Sequence, residues 1–180
     1  MLIDGLPSQD DAYRYNCFKL LFKIRREQPR TLYPDWDEFV PFLASRDVHH
    51  RSAAVQILTG LVRVDEDNRG EEILEDYFWL LHDESVFVAR YAARHAGEIA
   101  VAKPHLQSRI TDRLLALGQM QNAARHAELV KADAIDSLAL YFEESADQAR
   151  ILAFVEAQML SASPGTRATA KRFLKRFGGL

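Results

Sequence analysis

The chain has 180 residues, of which 48% are hydrophobic and 27% charged, and its formal net charge is −3. These values are ordinary for a globular protein with one continuous core, and they give no global argument for a polyanionic partner. A single cysteine, Cys17, excludes an intrachain disulfide, and no apolar run approaches the roughly 20 residues of a membrane span. Since the N-terminal residues also lack the apolar core of a leader peptide, we expect a cytoplasmic protein.

The charge is unevenly distributed along the chain. Residues 12–31 contain six basic residues and one acidic residue, and residues 164–180 contain five basic residues and no acidic one. Between these ends, residues 32–163 contain 22 acidic and 12 basic residues. Two basic ends therefore flank an acidic middle.

In chain order, the apolar spacing predicts an N-terminal amphipathic helix and then pairs of helices. Ser8, followed by Asp11, is typical of a helix N-cap, and Pro29 ends that first helix. No segment shows the alternation of apolar and polar residues that is typical of strands over a useful length, so the chain is predicted to be all-α. Gly118 to Arg125 has the weakest pattern and is predicted to be a loop. The predicted elements are a capping helix at 8–29 and helical hairpins at 35–63, 70–101, 104–143 and 145–177, all in one domain covering 1–180.

One helix pattern recurs at a regular interval. The copies are Arg51-Ser-Ala-Ala, Arg90-Tyr-Ala-Ala and Arg167-Ala-Thr-Ala. The first two are 39 residues apart and the last two 77, which is about two periods. A period near 40 with two helices per unit predicts a helical-repeat solenoid, in which the alanines let neighbouring helices approach closely.

Residues 83–99 resemble the inner-helix signature of HEAT-repeat proteins. The residues that carry this resemblance are Asp83, Val88, Arg90, Gly97 and Ile99. The resemblance covers residues 35–177, and the segments 99–104 and 166–175 are similar to small stand-alone prokaryotic HEAT proteins of undefined activity. It implies a right-handed α-α superhelix of about four hairpins behind the capping helix. It also implies a structural ladder between neighbouring repeats, made here by Arg51, Arg90 and Arg167 with Asp47 and Asp83.

A solenoid without a catalytic motif favours a non-enzymatic scaffold that binds a protein or peptide partner on its concave face. The side chains expected on that face change from mixed to acidic to basic along the chain. They are Gln56, Thr59, Arg63, Arg94, His95, Glu98, Asp133, Asp136, Lys171 and Lys175.

The alternative function is nucleic-acid binding through the basic ends. Its candidate patch is the last helix, with Arg167, Lys171, Arg172, Lys175 and Arg176. The competing interpretation of these bases is the polar outer face of a terminal capping repeat, which keeps a solenoid soluble.

Other site chemistries have weaker support. Asp65-x-Asp67-x-Arg69-Gly70 resembles a calcium loop, but an arginine stands where a ligand oxygen belongs, so a solvated loop is favoured. His95 and Glu98 supply only two possible metal ligands. Trp36, Trp79 and Asp136 are candidates for the groove of a HEAT-like DNA glycosylase, but both tryptophans lie on predicted outer helices and the acidic middle of the chain would repel phosphates. The repeated His-Glu dipeptides of HEAT-like di-iron hydroxylases are absent from the sequence. No cofactor or metal is therefore expected.

Overall fold

The computed structural model describes residues 2–119 and 125–178, and within them it consists of helices joined by short turns, without a β-strand. The predicted all-α class is confirmed. None of the helices in these ranges has the length and apolar character of a membrane span. The helices are α1 (Asp11–Glu27), α2 (Pro29–Leu32), α3 (Trp36–Phe39), α4 (Val48–Leu61), α5 (Arg69–Glu72), α6 (Leu74–Trp79), α7 (Val86–Ala102), α8 (Gln107–Ala116), α9 (Arg125–Leu138), α10 (Gln148–Ala157) and α11 (Pro164–Phe177).

The helices form two layers. The longer helices α1, α4, α7, α9 and α11 form an inner layer in which each packs against the next. The shorter helices α3, α6, α8 and α10, with the 3₁₀ turns that extend them, form an outer layer against the inner helices. The exact hairpin boundaries stay a prediction, and most of the loop predicted at Gly118 to Arg125 lies outside the described residues.

Helix starts show how local sequence and structure agree and differ. Ser163 caps α11 as its sequence context indicates, because its hydroxyl accepts from the backbone N–H of Thr166 at 3.3 Å. The cap predicted for α1 at Ser8 is wrong. Asp10 caps α1 through a carboxylate that accepts two backbone N–H groups, while the Ser8 hydroxyl accepts from the N–H of Asp10 itself.

Small side chains bring α7 and α9 together. Ala92, Ala93 and Ala96 are completely buried. At Gly97 the helix backbones are so close that its N–H donates to Ser137 Oγ at 2.6 Å, and a Cβ there would lie 2.4 Å from the Ser137 carbonyl oxygen. The alanines and glycine of the repeated pattern therefore serve packing between repeats.

Ion pairs tie successive outer helices to one another. Glu75 pairs with Arg113 at 2.9 Å, and Asp112 pairs with Arg150 at 2.6 Å. Each pair joins residues 38 apart, which is close to one repeat. Part of the acidic excess in the middle of the chain is thereby neutralised on the outer layer and does not face the inner helices.

Candidate binding surface

The exposed face of the inner layer is crossed by a buried arginine. Arg25, near the end of α1, lies over Gly60 of α4 and forms an ion pair with Glu98 of α7, and it donates to Thr59 Oγ1 at 3.3 Å. Gly60 leaves room for this side chain, because a Cβ there would lie 1.8 Å from Arg25 Nε. Glu98 also contacts His95, with 2.6 Å between His95 Nδ1 and Glu98 Oε1. We call Arg25, Thr59, His95 and Glu98 the polar bridge.

Burial and charge act in opposite directions on the two ionised groups of the bridge. Burial lowers the pKa of Arg25, although the neighbouring Glu98 carboxylate raises it. Burial raises the pKa of Glu98, but the hydrogen bond with His95 and the charge of Arg25 outweigh it, so the pKa is lowered overall. Glu98 is therefore held ionised, and its ion pair with Arg25 ties α1 to α7 across α4.

The arginines of the repeated pattern have unequal partners. Arg51 donates to both carboxylate oxygens of Asp83, at 2.6 and 2.9 Å, and to the carbonyls of Ser45 and Arg46. The ladder implied by the HEAT resemblance is thus present between these two hairpins.

Later in the chain the ladder changes. Arg90 contacts Asp133 of α9, at 2.6 Å, instead of an aspartate in a turn. Arg167 repeats only the carbonyl contacts, to Ser161 and Ala162, and pairs with no carboxylate among the described residues. The last repeat therefore keeps the hydrogen bonds of the motif without its ion pair.

A first groove lies between the N-terminal halves of α1, α4 and α7. Its floor is the early part of α4, with Ser52, Ala53 and Gln56, and its walls carry aromatic rings from α1 and α7. The volume is about 410 Å³. The other lining residues are Leu6, Asp11, Arg14, Tyr15, Phe18, His49 and Tyr91.

A second groove lies on the other side of the bridge, along the C-terminal ends of the inner helices. It consists of two adjoining cavities, of about 460 and 250 Å³, that share Leu140. Val101 and Leu140 are 52% and 54% exposed, which is high for apolar side chains beside a packed core. The lining residues are Arg63, Glu98, Val101, Ala102, Asp136, Ala139, Leu140, Thr169, Arg172, Phe173, Arg176 and Phe177.

Comparisons with known proteins support the fold and not the activity. No protein-family model matches the chain, and no curated protein is significantly similar to it in sequence. Solved structures with a similar fold include the following two. One is described as an engineered protein, with a TM-score of 0.66 and 17% identity over 97% of this chain and 76% of its own length. The other is a designed armadillo repeat protein, with a TM-score of 0.67 and 17% identity over 97% of this chain and 79% of its own.

The fold is an armadillo-like helical-repeat solenoid. The predicted HEAT-like architecture is confirmed at the level of the fold. At 17% identity the likeness shows the fold alone.

The structure buries several residues predicted on the concave face of the solenoid. Thr59, His95 and Asp133 are at most 9% exposed, and each is held by neighbouring side chains. That prediction is corrected for these three residues, because the polar bridge and the contacts to Asp133 use them for packing between repeats. Gln56 is also mostly buried, although it lines the first groove.

The remaining predicted residues reach the surface in different settings. Arg94 pairs with Asp133 at 2.5 Å, and Asp136 with Arg172 at 2.6 Å. Arg63 is exposed and caps α1, donating to the carbonyls of Arg25 and Arg26. Glu98 and Asp136 line the second groove with their arginine partners beside them. Lys171 and Lys175 are exposed but line neither groove.

The apolar part of the second groove was not predicted from the sequence. Val101 and Leu140 are 39 residues apart, which is the repeat interval found for Arg51 and Arg90. Two apolar residues 39 positions apart, each near the end of an inner helix, were a signal that could have found them. The aromatic walls of the first groove, Tyr15 and Tyr91, carry no such signal because their helices are not equivalent repeats.

The weaker site predictions also have structural outcomes. Asp65 is buried, and its carboxylate accepts from the N–H groups of Arg69 and Gly70 and from the Tyr33 hydroxyl. The expected solvated loop is therefore wrong at Asp65, whose oxygens are occupied by internal donors. Trp36 is buried and Trp79 is on the outer layer. Within residues 2–119 and 125–178, no three His, Cys, Asp or Glu side chains are grouped to hold a metal ion.

Proposed function

We propose that this protein is a non-enzymatic scaffold that binds a protein or peptide partner on the inner-helix face of its solenoid. The observation that carries the proposal is the second groove, where Val101 and Leu140 leave apolar surface uncovered between polar residues. Exposed apolar surface rimmed by polar side chains is typical of sites where another protein binds. We also propose a cytoplasmic location, which the lone buried thiol of Cys17 supports.

A peptide-display selection against the purified protein tests the proposal. The selected peptides are measured against Leu140→Glu, which places a charge in the second groove, and against Leu160→Glu, a matched change at a 90% exposed leucine beyond α10. We expect binding to fall at least ~10-fold for Leu140→Glu and to be unchanged for Leu160→Glu. Selection of no peptide, or equal binding by both variants, would contradict the proposal.

A second candidate function is nucleic-acid binding by α11. It is supported by Lys171 and Lys175, which are exposed and have no carboxylate partner in the described part of the chain. A salt titration with DNA and RNA oligonucleotides tests it, using the wild type and the double variant Lys171→Glu/Lys175→Glu. Affinity that falls steeply with salt and disappears in the double variant would favour this function over the first.

A further inference from the structure

The charges along the second groove are unequally compensated. Glu98 is paired with Arg25, and Asp136 is paired with Arg172, so neither carboxylate presents a free negative charge to a partner. Arg63 has no carboxylate partner among the described residues. Its guanidinium donates instead to backbone carbonyls of α1 and α4, which do not neutralise its charge. The groove is therefore positive where Arg63 stands.

The other end of the groove is positive for a similar reason. Arg176 lies 4.5 Å from the centre of the Phe177 ring and pairs with no carboxylate in the described ranges. Its guanidinium lies over the Phe177 ring face, near the partial negative charge of the α11 C-terminus. Between Arg63 and Arg176, the apolar lining includes Val101, Leu140 and Phe177, beside the ion-paired carboxylates of Glu98 and Asp136.

We propose that the second groove binds an extended acidic peptide segment whose ends contact Arg63 and Arg176 and whose apolar side chains cover Val101 and Leu140. The proposal rests on the scaffold function and specifies the partner's chemistry. Complementary charge at the two ends would fix the register of the segment, and the apolar centre would supply surface burial.

The spacing of the helices sets the length of the segment. The groove runs from the turn after α4 past α7 and α9 to α11, and neighbouring packed helices are about 8–10 Å apart. Three such steps span roughly 24–30 Å, which an extended chain covers with about seven to nine residues at ~3.3 Å each.

The lining favours such a peptide over a nucleic-acid strand. A nucleic-acid backbone needs a row of cations along its phosphates, whereas this groove offers unpaired cations only near its ends among the described residues. Its centre carries the apolar side chains of Val101 and Leu140, which cannot pair with phosphates. A short segment with acidic ends and apolar side chains in its middle complements both the charged ends and the apolar centre of the groove.

Fluorescence anisotropy with a designed peptide tests the proposal. The probe is a labelled nonapeptide with two glutamates at each end and two leucines, separated by serines, in its centre. One comparison peptide replaces the glutamates with lysines, and another replaces the leucines with serines. We expect a dissociation constant of ~10–100 µM for the probe and at least ~10-fold weaker binding for both comparison peptides.

The protein variants locate the contacts. Arg176→Glu reverses the charge at one end, and Arg63→Gln removes it at the other while keeping donors for the α1 carbonyls. Lys171→Glu is the matched control, since it changes the same charge on the same helix outside the groove. We expect ~10-fold weaker binding for Arg176→Glu, ~5-fold for Arg63→Gln and less than ~2-fold for Lys171→Glu.

The outcomes separate this inference from the scaffold function. If Arg176→Glu and wild type bind the probe equally well, the acidic-segment inference is overturned and the scaffold function stands. The same conclusion follows if the probe does not bind while the binding of display-selected peptides still depends on Leu140. Selection of no peptide at all would overturn both. The inference is also overturned, in favour of nucleic-acid binding, if a single-stranded oligonucleotide displaces the probe and its affinity falls equally in Lys171→Glu and Arg176→Glu.

Discussion

The early and late parts of the inner layer use arginine in opposite ways. Around α4 and the start of α7, Arg25 and Arg51 are almost buried and each is paired with a carboxylate from another element. Around α11, Arg167 and Arg176 are exposed and lack such partners within the described chain. The same residue type therefore connects repeats in the first region and remains accessible to a partner in the second.

The largest contrast is expected between two arginines at the same repeat position. Arg51→Ala should destabilise the protein by about 3 kcal/mol, because it leaves the buried Asp83 carboxylate without its partner. Arg167→Ala should cost less than about 1 kcal/mol, since it removes only exposed hydrogen bonds to carbonyls. Urea unfolding of both variants measures the difference, and equal losses would show that the two regions do not differ as described.

A smaller effect is expected at the glycine beneath the polar bridge. Gly60→Ala should cost on the order of 1–3 kcal/mol, because the new Cβ overlaps the Arg25 side chain and disturbs its pair with Glu98. Gly165→Ala is the control, as the nearest atom to its added Cβ is 3.6 Å away. Thermal and urea unfolding should show the control within about 0.5 kcal/mol of wild type. An unchanged Gly60→Ala protein would argue against the path of Arg25 over α4.

The smallest expected effect is a pH dependence from Glu98. Its pKa is lowered in the folded protein, so its contribution to stability is complete above about pH 4.3, where an unfolded glutamate ionises. That contribution is lost as the pH falls through the lower folded pKa. Glu98→Gln should therefore be less stable than wild type near neutral pH, and the gap should close in acid. A gap that stays constant in urea titrations between pH 7 and pH 3 would show that Glu98 is not held ionised by Arg25 and His95.

Much of the fold could be predicted because it depends on local and periodic features. The repeat interval of 39, the small residues at Ala92 and Ala93 and the cap at Ser163 are properties of neighbouring residues or of one repeated unit. The cap at Ser8 was mispredicted because Asp10 competes two residues later, and both residue types favour that position. The binding surface was predicted less well, since exposure depends on which neighbour covers each helix face.

By itself, the sequence determined the all-helical class, the repeat interval and the structural role of the arginine and alanine pattern. These follow from side-chain periodicity, which is set by the geometry of a single helix. Only the tertiary structure decided that Arg25 crosses Gly60 to Glu98, and that Val101 and Leu140 meet in one groove with Arg176. These residues are 35 to 75 positions apart in the sequence, and whether they meet depends on how closely the helices pack and on which charges are already paired.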